Sequence, residues 1–241
     1  MATYIQLKHT PIKEIILTIS FKENLESDRL DTFRSLPAIK ERFPYFSQGF
    51  STQLQTQRDT PPTAKVQEDG YILRNGNPHS ILLQARRGSL SFHKVNGYEH
   101  FDNLINEFQT YWKLLEGTCG LLTVNQLNVR YLNFIEIIDG ENINDFIKII
   151  LQHPFTTYTQ EQQLAHLRFT DVNDPTIGIT VVSATGKSEN RNGLVLDIIL
   201  NKNMVSEEVD GFNFASFNAM RRIKNDVFFQ IITEKTINKY S

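Results

Sequence analysis

The sequence predicts an α+β fold in which a curved antiparallel sheet carries long helices on one face. Two observations predict it. The order strand, helix, several strands, helix runs through residues 13–116, and a similar order runs through residues 126–240. Apolar residues follow the strand period in some segments and the helical period in others. We therefore expect residues 1–122 and residues 123–241 to be halves of a duplicated architecture that forms one compact unit.

The first half begins with a strand and an interrupted helix. Apolar side chains alternate with other residues along the opening strand, at Ile15, Leu17, Ile19 and Phe21. Ser27 or Asp28 can cap the helix that follows, and Pro37 is expected to break or kink it. Residues 50–57 are the next predicted strand, and the polar residues 58–69 with their two prolines are a predicted loop.

Three predicted strands and a long helix complete this half. The strands cover residues 70–74, 79–86 and 89–95, joined by tight turns into a meander. Gly117 is the expected end of the helix. Its apolar stripe repeats at steps of three and four, at Tyr98, Phe101, Leu104, Ile105, Phe108, Tyr111, Trp112 and Leu115.

The second half repeats this order of elements, although few residues are identical between the two halves. A short helix is predicted over residues 144–151, a hairpin loop over residues 187–193 and a final helix over residues 214–239. On that last helix Arg221, Arg222 and Lys224 are expected to form a solvated basic face. The predicted strands cover residues 127–137, 164–171, 177–184 and 194–201.

The composition is that of a soluble, folded protein. Hydrophobic residues make up 40% and charged residues 22% of the 241 residues. With 25 basic and 27 acidic residues the formal charge is −2, so no global field attracts nucleic acid or an anionic membrane. The single Cys119 excludes an internal disulfide, and the sequence has neither a signal-peptide core nor a membrane-length apolar stretch. We expect a cytoplasmic protein.

Familiar catalytic and cofactor motifs are absent from the sequence. It contains no glycine-rich phosphate loop, no dinucleotide fingerprint, no Gly-X-Ser-X-Gly elbow, no His-Glu-X-X-His helix and no EF-hand loop. The triplet from Gly186 to Ser188 lacks the upstream glycine that a phosphate loop requires. We expect no cofactor and no metal site. We expect a binding component rather than an enzyme.

Four cationic side chains lie close together around one predicted turn. Arg86 and Arg87 precede it, and His93 and Lys94 follow on the next strand. Because neighbouring residues of a strand face opposite ways, His93 and Lys94 are expected to diverge. A solvated hairpin edge is the first interpretation, and an anion or phosphate site is the alternative.

Arg130 and Asn133 interrupt a strand that is otherwise suited to burial. A buried guanidinium requires an acidic partner or a ligand. An internal ion pair, with Glu136 or with an acid from a neighbouring strand, is the first interpretation for Arg130. Asn133 would then satisfy backbone groups at a bulge. A ligand-binding role for both residues is the alternative.

A third group is formed by His166 and Arg168, which alternate on one face of a predicted strand, and by Asp197 on another strand. These residue types could perform acid–base chemistry if their strands were adjacent and a cleft covered them. An unrecognised hydrolase or transferase is therefore a further alternative.

Three segments carry a resemblance to a known family. They are residues 11–16 (PIKEII), the aromatic helix with Tyr98, Phe101 and Trp112, and residues 130–133 (RYLN). Together they resemble a sporadically distributed bacterial family of uncharacterised proteins of about this chain's length, over residues 11–137, with a weaker match in the last helix. The duplicated layout is also similar to the saddle-shaped fold of the TATA-binding protein.

The family resemblance implies no known activity and no catalytic residues. Its patchy distribution is typical of antiphage defence or toxin–antitoxin systems. We therefore expect a non-catalytic protein that binds another protein through an open sheet face or groove. Nucleic-acid or nucleotide binding through Arg86, Arg87, Lys94 and Arg130 is the alternative, and homo-oligomers are compatible with either.

Overall fold

A computed structural model describes residues 7–55, 63–97, 100–138, 140–149, 164–204 and 213–241. Over these residues the chain has an α+β fold with nine strands and five α-helices. The helices are α1 (Ser27–Ser35), α2 (Pro37–Arg42), α3 (Phe101–Cys119), α4 (Ala215–Ile231) and α5 (Glu234–Tyr240). The strands are β1 (Ile12–Phe21), β2 (Tyr45–Gln55), β3 (Thr63–Arg74), β4 (Ile81–Arg86), β5 (Ser89–Val95), β6 (Val124–Glu136), β7 (Leu164–Thr170), β8 (Ile177–Ser188) and β9 (Arg191–Asn203).

All nine strands belong to one open antiparallel sheet. Their order across the sheet is β2-β3-β4-β5-β1-β6-β9-β8-β7. β1 and β6 lie side by side at the centre, and β1 also pairs with β5 while β6 pairs with β9. The first strand of each half of the chain therefore pairs with the last strand of the same half.

A continuous hydrophobic core lies between the sheet and the helices and draws on both halves of the chain. On α3, the ring centroid of Phe108 lies 5.9 Å from that of Phe92 in β5 and 6.0 Å from that of Phe217 in α4. Phe101 of α3 lies 6.5 Å from Tyr131 of β6. Residues that alternate along β1, β6 and β8 supply much of this core, as the strand period predicted.

The interruption predicted at Pro37 is confirmed. α1 ends at Ser35, and Leu36 takes an extended conformation with φ −57° and ψ 136°. Pro37 is the first residue of α2, where its missing N–H removes no helical hydrogen bond. The proline therefore starts a second short helix rather than bending one long one.

Two predicted loops are shorter than expected. β3 begins at Thr63, so the loop predicted over residues 58–69 is wrong from residue 63 onward. Backbone pairing with β2 makes this polar segment a strand without an apolar pattern. The loop predicted over residues 187–193 is a two-residue turn at Glu189 and Asn190, whose φ values of 51° and 64° match the tight turns that suit hairpin twist.

The predicted helix ends also differ. α3 continues through Gly117 to Cys119, and Gly120 with φ 90° follows it. The helix predicted over residues 144–151 is a single 3₁₀ turn at Ile143–Asp145, and residues 150 and 151 lie outside the described residues, as does Tyr98.

The predicted final helix is two helices, α4 and α5. The chain between them pairs with the segment after the 3₁₀ turn, where Ile147 forms a bridge with Ile232. The Thr233 N–H donates to the Phe146 carbonyl at 3.1 Å, and the Thr233 hydroxyl caps α5. This local pairing breaks the helix at residues 232 and 233. None of the described helices is long and apolar enough to cross a membrane.

A close approach between β3 and β4 requires glycine at position 70. Gly70 has φ 110°, and a Cβ there would lie 2.1 Å from the carbonyl oxygen of Ala85. We expect Gly70→Ala to lower the free energy of unfolding by about 2 kcal/mol or more. Gly117→Ala is the control, since it meets nothing within 4 Å in a helix and should add up to about 1 kcal/mol. Urea unfolding of both variants measures this, and equal effects would contradict the strain at Gly70.

Candidate functional site

One face of the sheet carries a band of polar side chains. α1, α3 and α4 pack on the opposite face, where Tyr71, for example, donates a hydrogen bond to Asp31 of α1. We call the other face the open face; it is formed by the side chains that alternate with the core residues. At its centre four adjacent strands, β5, β1, β6 and β9, supply ionisable and hydrogen-bonding groups. This band is the candidate functional site.

Two ion pairs lie side by side in the centre of the open face. His93 Nδ1 lies 2.8 Å from Glu14 Oε1, which joins β5 to β1. Arg130 joins β6 to β9: its Nε lies 3.0 Å from both carboxylate oxygens of Asp197, and its Nη2 lies 2.7 Å from Oδ2. Each pair connects diagonal positions of neighbouring strands, so the four side chains form a row across four strands.

The electrostatics of this row stabilise the charged forms of Glu14 and Arg130. The hydrogen bond from His93 holds the pKa of Glu14 below its usual range, against an opposing effect of burial and with help from the charges of His93 and Arg130. The hydrogen bonds to Asp197 raise the pKa of Arg130 further. The Asp197 side chain is 9% exposed and that of Arg130 41% exposed. The carboxylate therefore lies beneath, and the guanidinium presents its remaining donors to solvent.

A second row on the same face is uncharged. Ser91, Thr18, Asn128 and Asn201 lie opposite one another on β5, β1, β6 and β9. The Thr18 hydroxyl donates to Ser91 Oγ at 2.9 Å, and Asn128 Nδ2 donates to Asn201 Oδ1 at 2.8 Å. These bonds fix the side-chain orientations, so the row is preorganised for hydrogen bonding to a partner.

Arg86 and Arg87 have structural contacts at the β4–β5 turn. Arg86 Nη1 lies 2.9 Å from Asp69 Oδ2. Arg87 donates to the Glu68 carbonyl at 3.3 Å and to Ser27 Oγ at 2.9 Å. Both guanidinium groups therefore stabilise the connection between β3, the turn and the start of α1.

His93 and Lys94 diverge, as the strand period predicted. His93 is on the open face opposite Ile16, whereas Lys94 lies opposite Ile15 on the helix-covered side. The four cations around the turn therefore do not form one patch.

Arg130 and Asn133 also lie on opposite faces. The first interpretation of Arg130 is confirmed, because Asp197 is an acid from a neighbouring strand. Asn133 is buried on the core side, and its Nδ2 donates to the Leu196 carbonyl at 3.0 Å and to the Tyr131 carbonyl at 3.2 Å. It lies at an irregularity of the β1–β6 pairing, as expected for an amide that satisfies backbone at a bulge.

His166 and Arg168 are exposed on the open face of β7. Val182 of β8 lies between His166 and Asp197 in the strand register. Two strand spacings, roughly 10 Å, separate the backbone positions of His166 and Asp197. These residues are therefore not within hydrogen-bond reach, and the acid–base group considered from the sequence is not assembled.

Lys224 was missed by the sequence reasoning. Its Nζ lies 4.0 Å from the ring centroid of Tyr131 and 5.8 Å from that of Phe228, and the residue is 7% exposed. Burial, with a smaller effect of Arg221, lowers the pKa of Lys224 to about 7. The basic face expected of the last helix is therefore wrong at Lys224. The signal was its helical spacing between the buried Met220 and Phe228.

In the open-face row each carboxylate is hydrogen-bonded to a neighbouring side chain, Glu14 to His93 and Asp197 to Arg130, and Arg130 is the most exposed of the four side chains. Within the part of the chain that the structure describes, no group of three His, Cys, Asp or Glu side chains could hold a metal ion.

Comparisons with known proteins give no family. No family model matches the chain, and no curated protein matches it. Among solved structures, the crystal structure of the di-domain ARO/CYC StfQ from the steffimycin biosynthetic pathway is similar at 8% sequence identity, covering 88% of this chain and 93% of that chain with a TM-score of 0.23. Similarity at that level carries no argument about fold or function.

Glu14 should make the stability of the protein depend on acid pH. Because its pKa is lowered in the folded state, its stabilising contribution is present above the usual carboxyl range and is lost as the pH falls through the folded-state value. We expect Glu14→Gln to cost about 1 kcal/mol at pH 7 and to lose less stability than wild type between about pH 5 and pH 3. Urea unfolding across that range tests it. Glu41→Gln, an exposed change on α2, is the control, and parallel curves for wild type and Glu14→Gln would contradict the coupling.

Lys224 should make the stability of the protein depend on pH in the neutral to alkaline range. The folded state releases its proton near pH 7, whereas the unfolded lysine retains it to about pH 10. Wild-type stability should therefore rise as the pH increases above 7. Lys224→Met should lack that rise and be about 1–2 kcal/mol more stable at pH 7. Unfolding at pH 6.5 and 9.5 measures it, with the exposed Lys113→Met on α3 as control. A strongly destabilised Lys224→Met would count against the buried-amine assignment.

Proposed function

We propose that this protein is a non-catalytic binding component whose open sheet face docks on another protein. The observation that carries the proposal is the preorganised polar band on that face. Rigid side chains whose hydrogen-bonding groups are already oriented lose little entropy on binding, and they discriminate between partners by the pattern of donors and acceptors. A folded protein surface with complementary donors and acceptors is the partner that this band would suit.

The bonding of the carboxylates favours binding over catalysis. A general base needs a lone pair directed at the substrate, but both oxygens of Asp197 accept from Arg130. Glu14 is bound to His93. His166 lies two strands away from Asp197. A hydrolase or transferase built on these groups would have to use carboxylates that are already hydrogen-bonded to neighbouring side chains.

The state of the cations favours a protein partner over nucleic acid. Binding to phosphates requires Lys and Arg side chains that are free to neutralise them. Arg86 and Arg130 are in ion pairs, Arg87 is bound to Glu68 and Ser27, and Lys94 lies on the other side of the sheet. The arginines proposed to bind nucleic acid are therefore already in contact with other groups of the protein, and the lysine lies away from the open face.

One observation favours nucleic acid as the second candidate. His166 and Arg168 are exposed on the open face, three strands from Arg130 along the same surface. A single strand lying across the sheet could contact both positions. Such binding would weaken steeply with salt, whereas docking through neutral and paired groups would not.

We also infer that the two halves arose by duplication. In both halves the first strand pairs with the last, and a long helix follows that last strand, α3 after β5 and α4 after β9. The strand order supports this reading. The duplicated layout resembles the saddle-shaped fold of the TATA-binding protein, and that resemblance keeps nucleic acid as the rival partner. A role in antiphage defence or toxin control rests on the family resemblance alone.

The test compares one substitution at two sites. Thr180 lies on β8 at the open face between Ile199 and Arg168, and Thr110 is exposed on α3. Tagged wild type, Thr180→Arg and Thr110→Arg are used to capture partners from the native host, with and without nuclease. We expect wild type and Thr110→Arg to retain a stoichiometric, nuclease-resistant protein that Thr180→Arg loses.

Other outcomes decide against the proposal. A partner that Thr180→Arg retains as well as wild type does not cover the open face around Thr180, next to the β9 side of the polar band. Partners lost on nuclease treatment, or recovered nucleic acid released by moderate salt, would favour the second candidate. Capture of nothing by wild type would also count against a docking role.

A further inference from the structure

One edge of the sheet is formed by an unusual strand. β2 is the outermost strand on the β3 side, so along the described residues one side of its backbone has no strand neighbour. Its eleven residues, YFSQGFSTQLQ, contain neither a charged residue nor a proline. The strand at the opposite edge, β7, carries His166 and Arg168. Only the β7 edge therefore has the charges that discourage edge-to-edge pairing.

Large aromatic side chains are exposed along this edge. Tyr45 is 53% exposed, Phe46 54% and Phe50 55%. Long, uncharged edges with exposed apolar side chains are the ones that pair with another chain. We propose that two copies of this protein associate by antiparallel pairing of their β2 strands, with Gln48 on the two-fold axis.

The register follows from the spacing of the phenylalanines. Antiparallel pairing about Gln48 places Phe46 of each copy opposite Phe50 of the other, so two aromatic pairs form across the axis. Centring on Ser47 would instead place Phe46 opposite Gln48. Of these two registers, the one centred on Gln48 therefore brings more of the exposed aromatic rings into contact with each other.

β2 is regular enough for this pairing. The irregularity of the β2–β3 hairpin lies in β3, because Gly49 pairs with Gly70 while the next residue, Phe50, pairs with Glu68. Phe46, Gln48 and Phe50 therefore share one side of β2.

Phe46 is already held in position. The guanidinium carbon of Arg34 lies 4.3 Å from its ring centroid, and Tyr71 packs against it at 6.1 Å with a near-perpendicular ring. A fixed ring presents a defined surface to the second copy, which lowers the entropy cost of association. β2 itself has no charged residue, so no like charges of the two paired strands would face each other across the axis.

The inference concerns the β2 edge and is independent of the open-face function. Gln48 is exposed, so a charge there should not impair folding. In this register Gln48 of one copy lies directly opposite Gln48 of the other copy. Like charges at directly opposite positions of paired strands are destabilising. Gln48→Lys and Gln48→Glu should each raise the dimer dissociation constant at least about tenfold, whereas a mixture of the two should form heterodimers.

The measurement is molar mass by light scattering over a dilution series, with circular dichroism to confirm folding. We expect wild type and the control Thr170→Lys, a charge on the exposed β7 edge, to show twice the monomer mass. Each Gln48 variant alone should show the monomer mass, and an equimolar mixture should recover the dimer.

Three results would overturn the proposal. Wild type could be monomeric at every concentration. Dimers could persist in both Gln48 variants alone, which would place the interface elsewhere. The mixture could stay monomeric although both variants are folded, which would exclude the two-fold position of Gln48.

Discussion

The pairing of β1 with β6 is the constraint on which the rest of the structure depends. It joins strands from the two halves of the chain at the centre of one sheet. Their buried side chains, such as Leu17 and Val129, meet the helices on one side. Because a strand alternates, this same register brings Glu14 and Arg130 onto the open face. A register slip of one residue would exchange the core side chains and the open-face side chains together.

The segment RYLN on β6 shows how one strand serves both faces. Arg130 extends over the open face to Asp197, whereas Tyr131 is buried beneath α4, where its ring receives the Lys224 amine. Asn133 returns to the core side, where its amide donates to the Tyr131 carbonyl of β6 and the Leu196 carbonyl of β9, beside the irregular end of the β1–β6 pairing. A motif that resembles one binding site in the sequence is therefore three separate interactions, and only the first of them belongs to the candidate site.

Elements with a clear period or a stiff residue could be predicted from the sequence. The alternation of β1, the stripe of α3 and the break at Pro37 follow from local chemistry. The rest depends on partners distant in the chain. β3 is a strand because β2 supplies its hydrogen bonds, and α4 ends where residues 146–148 pair with it. The Arg130–Asp197 pair could be predicted only with the strand order in hand. Lys224 could not be predicted from the usual exposure of lysines, because it is buried.

The central position of β1 has a consequence for the synthesis of the chain. β1 leaves the ribosome well before β6, which begins at residue 124, about 100 residues later in the chain. Until then an apolar strand has neither its second neighbour nor its complete helical cover. Non-local pairing of this kind slows folding, and it leaves intermediates with exposed apolar surface that are prone to aggregate. Nascent chains of this protein should therefore depend on chaperones more than a helical protein of equal length does.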